Sequence, residues 1–308
     1  MVKPFDTSLY PFTSRWFDRG GGLRMHYVDE GPRDGQGKPV GPPILFLHGN
    51  PSWSFYFRNL IMALRDSHRC IALDHIGMGL SDKPNDKAYS YTLEQRIEDV
   101  QLFVDKLRLK QPLTLIVHDW GGMIGMGWAV RQPRQVARLV LLNTAAFPMP
   151  RSKSLPLALG LTRTPVGTLL VRGLNAFSWT ATRVGCKRKA MSRAVAQAYT
   201  APYDSWATRI ATLRFVQDIP VSRDHPTYGM VQHVGDQVML FHNTPTLIVW
   251  GGKDFVFDAP FLATWRKLLP NAHVHYLADA GHYVLEDAAD EVVPLIGEFV
   301  RTGQVSQA

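Results

Sequence analysis

The chain has almost no cysteine. Cys70 and Cys186 are the only two in 308 residues. One lies in an apolar run and the other among basic side chains, so no disulfide framework or metal-ligand spacing follows and a reducing compartment is expected. Long apolar runs are also missing. The most hydrophobic region, Leu155 to Leu174, is interrupted by Gly160, Arg163, Pro165, Gly167 and Arg172, so no clean membrane span is expected. Met1 to Tyr10 lacks the apolar stretch of a secretory signal. The sequence holds no glycine-rich phosphate fingerprint, no metal-ligand cluster, no nucleic-acid motif, no internal repeat and no low-complexity tract. The expectation is a soluble cytoplasmic protein with no cofactor, no metal and no nucleic-acid partner.

What is present is ordinary globular composition, with 45% hydrophobic and 19% charged residues. That is enough for one large α/β domain, or for a core domain carrying an inserted lobe. The 34 basic residues outnumber the 26 acidic ones, giving +8. Much of this excess sits in Arg183, Lys187, Arg188, Lys189 and Arg193. A solvated basic face accounts for the cluster; an acidic partner or a membrane surface is the alternative.

Strand and helix signals alternate along the chain. Residues 14–30 alternate enough for edge strands, and 31–43 form a Gly/Pro/Asp-rich loop. Continuous apolar runs at 44–47, 69–74, 113–118 and 136–143 read as strands buried on both faces. Helical segments are expected near 56–65 and 92–107, the latter opened by Thr92 and Gln95 as a capping pair. Its apolar positions Leu93, Ile97, Val100, Val104 and Leu107 follow helical spacing. Residues 147–240 lack a strong strand signal, are rich in proline and contain helical stretches near 192–198 and 205–216. We expect them to form a helical cap inserted into a core made of 1–146 and 241–308. Strand and helix signals resume at Pro245 and end in a helix over 290–301. The predicted fold class is α/β, with a mostly parallel doubly wound sheet.

The stretch Leu113 to Val130 carries the sharpest signal. A β-branched run ends at His118-Asp119-Trp120, followed by Gly121-Gly122 and a helix-forming segment. This is the strand–turn–helix grammar of a nucleophile elbow, with Asp119 at its tip. The simpler reading makes Asp119 the N-cap of the helix. Asp254 and His282 also fall just past expected strand ends, in the order nucleophile, acid, base.

These residue types constrain the reaction. A carboxylate with an ordinary pKa of about 3.9 is ionised at neutral pH and needs no base. Attack on an acyl carbon would give an anhydride, whereas attack on an sp³ carbon with a leaving group gives a plain ester. His282, oriented by Asp254, would activate water to hydrolyse that ester. Backbone N–H groups of Asn50 and Trp120 would face the developing oxyanion. The Trp120 indole and the Asn50 amide are neutral donors suited to a halide-like leaving group. Read alone, Trp120 is equally an elbow-packing aromatic and Asn50 a turn residue before Pro51. Serine-type acyl hydrolysis is disfavoured.

His48 to Trp53, Asp74 to Pro84, Val117 to Gly121 and Gly281-His282 together resemble the haloalkane dehalogenases. The resemblance implies an α/β-hydrolase fold, a triad of Asp119, His282 and Asp254, and halide donors Asn50 and Trp120, as in the third dehalogenase subfamily. Asn143 occupies the alternative acid position, and Asp258 is a backup for Asp254. Asp74 to Pro84, Ala201 to Ser205 and Arg214 to Pro220 are also similar to the β-lactone decarboxylases of bacterial olefin biosynthesis, which implies alkene and CO₂ release by the same triad. Epoxide hydrolase chemistry would need two tyrosine donors, for which Tyr199, Tyr203 and Tyr228 are available. A non-catalytic receptor of this fold would not need the intact acid–base set. The expected order is hydrolytic dehalogenation first and β-lactone decarboxylation second, on a small apolar substrate with water as co-substrate in the hydrolytic case.

Overall fold

A computed structural model of the chain describes residues 4–153 and 157–305. Met1 to Lys3, and Leu155 and Pro156 at the start of the apolar stretch, lie outside these residues. The alternating segments form one eight-stranded sheet in the order β1-β2-β4-β3-β5-β6-β7-β8. The strands are β1 (Arg15–Gly20), β2 (Leu23–Glu30), β3 (Pro43–Leu47), β4 (Arg69–Leu73), β5 (Leu113–Asp119), β6 (Val136–Thr144), β7 (Thr246–Gly251) and β8 (His273–Leu277). The β1–β2 and β2–β4 pairs are antiparallel, and the rest are parallel. Of the two expected edge strands only β1 is at an edge, because β2 is paired on both sides.

Every residue of β3, β5 and β7 is buried, the signature of strands covered on both faces. Alternate side chains feed two cores. Leu45, Leu47, Leu115 and Val117 pack with Leu93, Ile97 and Val100, while Ile44, Phe46 and Ile116 pack with Leu60, Val292 and Ile296. The helices are α1 (Arg58–Leu64), α2 (Leu93–Leu107) and α3 (Trp120–Ala129) before the long insertion. After it come α10 (Ala259–Leu268), α11 (Val284–Asp287) and α12 (Ala289–Thr302). Thr92 caps α2 by accepting from the Gln95 N–H at 3.3 Å, but the Gln95 side chain turns to Asp99 instead of closing the reciprocal box.

Between β6 and β7 the described residues hold helices and loops but no strand. The helices are α4 (Leu157–Leu161), α5 (Pro165–Thr168), α6 (Ala176–Val184), α7 (Arg193–Thr200), α8 (Ile210–Gln217) and α9 (Tyr228–Gln237). The helix expected from Ser205 starts only at Ile210. Thr208 Oγ1 is tied to Asp204, Ser205 Oγ and the Ser205 carbonyl, offering the backbone local partners that compete with a helical turn. Both cysteines are buried and free.

The topology fixes where a ligand binds. From β3 the chain passes to β4 on one side, and later to β5 on the other. The carboxyl ends of β3 and β5 therefore splay apart and leave a crevice at this switch point. Asn50 follows β3 and Asp119 ends β5, so these two residues face each other across it.

Candidate active site

Asp119 sits at φ 53°, ψ −126°, a backbone conformation that costs a non-glycine residue about 1–3 kcal/mol and persists only where its surroundings enforce it. The enforcement is visible. The Thr144 hydroxyl donates to the Asp119 carbonyl. A Cβ on Gly121 would lie 1.9 Å from the Leu47 carbonyl oxygen, so only glycine lets α3 start this close to β3. Asp119 occupies the N-cap position of α3, but its side chain makes no capping hydrogen bond there. The carboxylate instead turns into the crevice, where its Oδ1 accepts the Asn50 N–H at 2.7 Å and its Oδ2 lies 3.8 Å from His282 Nε2.

His282 follows β8, and its Nδ1 donates to Asp254 Oδ2 at 2.8 Å. Asp254, just past β7, also accepts from the Val256 N–H at 2.7 Å and from Asn143 Nδ2 at 2.9 Å. Asn143 can turn its amino group to Asp254 because its own Oδ1 accepts the Gly251 N–H. Asp258, the backup acid, is paired with Lys153 at 2.9 Å instead. Beneath His282 the Tyr56 ring stacks on His118, which donates from Nε2 to the His282 carbonyl at 3.0 Å. Burial holds the His118 pKa well below its usual value, so it acts there as a neutral support.

The electrostatics follow from this packing. Burial raises the pKa of Asp119; His282 and the backbone N–H groups of Asn50 and Trp120 oppose the rise without cancelling it. For His282, burial by itself would lower the pKa, but the Asp254 charge and hydrogen bond, helped by Asp119, hold it above the usual imidazole value. The His282 shift leans toward the imidazolium, and the interaction between the two groups keeps the Asp119 rise smaller than burial alone would make it.

Asn50 Nδ2 spends one N–H on the Thr212 carbonyl at 3.0 Å, and its buried Oδ1 has no partner. The Trp120 ring lies edge-on to Phe215, whose other neighbour is the fully buried Arg96, 3.7 Å from the ring centroid. Arg96 bonds Asp218 at 3.1 Å and so joins α2 to the end of α8.

These groups close the floor of a cavity of about 540 Å³ with otherwise apolar walls, among them Phe147, Met149, Phe177, Val216 and Phe257. At about 30 Å³ per non-hydrogen atom, the share of a water molecule in the liquid, it takes on the order of 18 such atoms. Tyr199, Tyr203 and Tyr228 donate to Glu286, to the Ser52 carbonyl and to Gln232 respectively, and none is a wall residue. The paired tyrosine donors that epoxide opening needs are therefore not supplied by these three. Among the described residues, no group of three or more His, Cys, Asp or Glu is arranged to hold a metal. No helix among them is long and apolar enough to cross a membrane.

Asp119, His282, Asp254, Asn50 and Trp120 thus converge at one place. Sequence reasoning missed Tyr283, which lines the cavity beside His282, along with the aromatic walls and the Arg96–Phe215 layer behind Trp120. Each is brought in by tertiary packing and leaves no local motif.

Known proteins agree with this architecture. The family model for the alpha/beta hydrolase fold matches residues 42–289. The chain is 52% identical to a cis-3-alkyl-4-alkyloxetan-2-one decarboxylase of Shewanella oneidensis, over 95% of this chain and 90% of that protein. It is 34% identical to haloalkane dehalogenase 2 of Mycobacterium tuberculosis, over 95% and 96%. In fold it superposes on haloalkane dehalogenase DbeA of Bradyrhizobium elkani with a TM-score of 0.82 and 24% identity, covering 95% and 98% of the two chains. Both activities expected from the sequence occur among the relatives, and the decarboxylase is much the more similar. The chain is an enzyme of the α/β-hydrolase family.

Proposed function

We propose that the enzyme decarboxylates cis-3,4-dialkyl β-lactones, with Asp119 as nucleophile, His282 and Asp254 completing the triad, and Asn50 and Trp120 as anion donors. The observation that carries this reading is the apolar cavity closing on Asp119 with His282 Nε2 3.8 Å from it, in a chain more than half identical to a decarboxylase of this class. The order expected from sequence, with dehalogenation first, is reversed on the strength of that identity.

The steps balance with no water. Asp119 Oδ2 attacks ring carbon C4, the C4–O bond breaks, and the lactone carboxyl is released as a carboxylate still attached at C3. The C2–C3 bond then breaks, its electron pair forms the C3=C4 double bond, and the C4–O(Asp119) pair returns to Asp119 as CO₂ leaves. Fragmentation moves negative charge from the substrate carboxylate to Asp119. On Asp119 that charge meets two backbone N–H groups and the imidazolium, more donors than the Trp120 indole and the remaining Asn50 N–H offer the substrate. The site is thus arranged to favour charge where fragmentation puts it.

The test is incubation with a cis-3,4-dialkyloxetan-2-one and detection of the alkene by gas chromatography, with Asp119→Ala as the blank. Absence of alkene from folded protein that releases bromide from a terminal dibromoalkane would sink the proposal. Hydrolytic dehalogenation is the second reading, supported by the Trp120 and Asn50 donors.

A further inference from the structure

Residues 147–203 contain nine Lys and Arg and not one Asp or Glu, so they carry the whole net charge of +8 and the rest of the chain is close to neutral. Acidic partners from elsewhere reach few of these cations. Among the described residues, Lys153 pairs with Asp258, and Arg188 with Asp279 and Glu291, whereas Arg163, Arg172, Arg183, Lys187, Lys189 and Arg193 form no ion pair.

The same segment exposes large apolar side chains. Leu174 is 70% exposed, Val166 59%, Leu169 58% and Trp179 53%. They lie on the outer surface of α5, α6 and the turn between them. Leu169 and Trp206 both border Gly173, at 3.1 and 3.9 Å from the position of a Cβ there. The arginines cover the tryptophans: Arg183 is 3.5 Å from the Trp179 ring centroid and Arg172 is 4.6 Å from that of Trp206. Leucine and tryptophan interleaved with unpaired cations is the chemistry of a surface that rests in the headgroup layer of an anionic bilayer. A nucleic-acid face would not need the exposed leucines.

The face is also one wall thick. Leu170, Val171, Phe177 and Thr180 of the same elements line the cavity, and Leu161 and Phe255 are both cavity-lining and exposed. The opening of the apolar cavity and the apolar surface are therefore continuous.

We propose that this face docks on an anionic lipid surface, so that an apolar substrate passes between bilayer and cavity without crossing water. The occupant is set by charge complementarity and by that continuity. The inference rests on the surface alone and is independent of which bond Asp119 attacks.

The test is co-sedimentation of the full-length protein with phosphatidylcholine vesicles, with and without phosphatidylglycerol. Binding is expected only with the anionic lipid, and should weaken as salt is raised. Leu169→Glu/Leu174→Glu and Arg172→Ala/Arg183→Ala should each lower the partition coefficient by at least about tenfold, given about fivefold per cation near such a surface. None of the four residues lines the cavity, so turnover of a water-dispersed short-chain substrate should be unchanged. Equal binding to both vesicle types, no binding, or unaffected variants would overturn the proposal. So would light scattering in which the glutamate variants abolish self-association, since a second copy would then be what covers the face.

Discussion

Replacing His282 by alanine separates the two chemistries proposed for this site. The imidazolium Nε2 lies 3.8 Å from Asp119 Oδ2, and at an effective dielectric of about 20 that pair is worth roughly 4 kcal/mol. Burial already raises the Asp119 pKa and His282 is the largest influence lowering it, so the substitution raises it further. At fixed pH, 4 kcal/mol lowers the ratio of ionised to neutral Asp119 on the order of a thousandfold. For a β-lactone, the expected result is kcat/KM lower by about a hundred- to a thousandfold near pH 7, rising as the pH is raised and Asp119 ionises. Any lactone adduct should still decay to alkene, because fragmentation requires no base, though more slowly than with the imidazolium in place. For a dibromoalkane the same variant should release at most one bromide per chain and hold the alkyl ester on Asp119, since no base activates water. The assay is intact-protein mass spectrometry beside alkene and bromide measurements across pH 6–9. A lactone adduct as long-lived as the alkyl ester would refute the reasoning, because it would make His282 an obligatory base in the second step. A lactone rate that does not recover at high pH would also refute it.

Asp254→Asn removes the charge that keeps the His282 pKa above its usual value and lets burial dominate. A reaction that uses the imidazolium then loses activity at lower pH, moving the alkaline limb of log kcat/KM for the lactone toward acid by about one unit or more; an acid limb that moved instead would mean that neutral His282 is the working form. Trp120→Phe deletes an indole N–H that has no protein acceptor while keeping a ring against Phe215. Bromide release should fall at least about a hundredfold and alkene formation less than tenfold, because fragmentation does not end with charge at that donor; equal losses would contradict the assignment. Gly121→Ala forces a Cβ to 1.9 Å from a backbone carbonyl, whereas Gly160→Ala meets nothing within 4 Å. In urea unfolding the first should lose about 3 kcal/mol or more, and the second should be neutral or stabilising.

The parts of this enzyme legible in its sequence are those with a local physical cause. The central strands are covered on both faces, which demands continuous apolar runs, and those runs are visible at Ile44 to Leu47 and Leu113 to Val117. The elbow is visible because close approach to β3 demands glycine at 121. Asp119 ends one such run, Asp254 lies three residues past β7 and His282 five past β8, so the sheet itself brings them to one edge. What stayed hidden has its cause at a distance. Arg96, Phe215 and Asp218 form one layer behind Trp120 through contacts between α2 and α8. The start of α8 is set by Asp204, Ser205 and Thr208 competing for the backbone, which a periodicity count does not register. The walls of the cavity come from stretches far apart in the chain, whose apolar spacing is that of any packed helix.

A site for which two reactions are proposed needs a reason to favour one, and the direction of the His282 shift supplies it. Both begin with Asp119 displacing a leaving group from an sp³ carbon. When the leaving group is a halide it departs, and the ester must await water activated by neutral His282. When it is a carboxylate tethered at the adjacent carbon, the electrons that expel Asp119 are already in the substrate. The Asp254 charge holds His282 toward the imidazolium. That form is a handicap for a general base, and an asset where charge must return to Asp119. Esterification neutralises Asp119 and removes its share of this influence, but Asp254, 2.8 Å away on the opposite ring nitrogen, keeps its own. The direction of the His282 shift therefore favours fragmentation over hydrolysis.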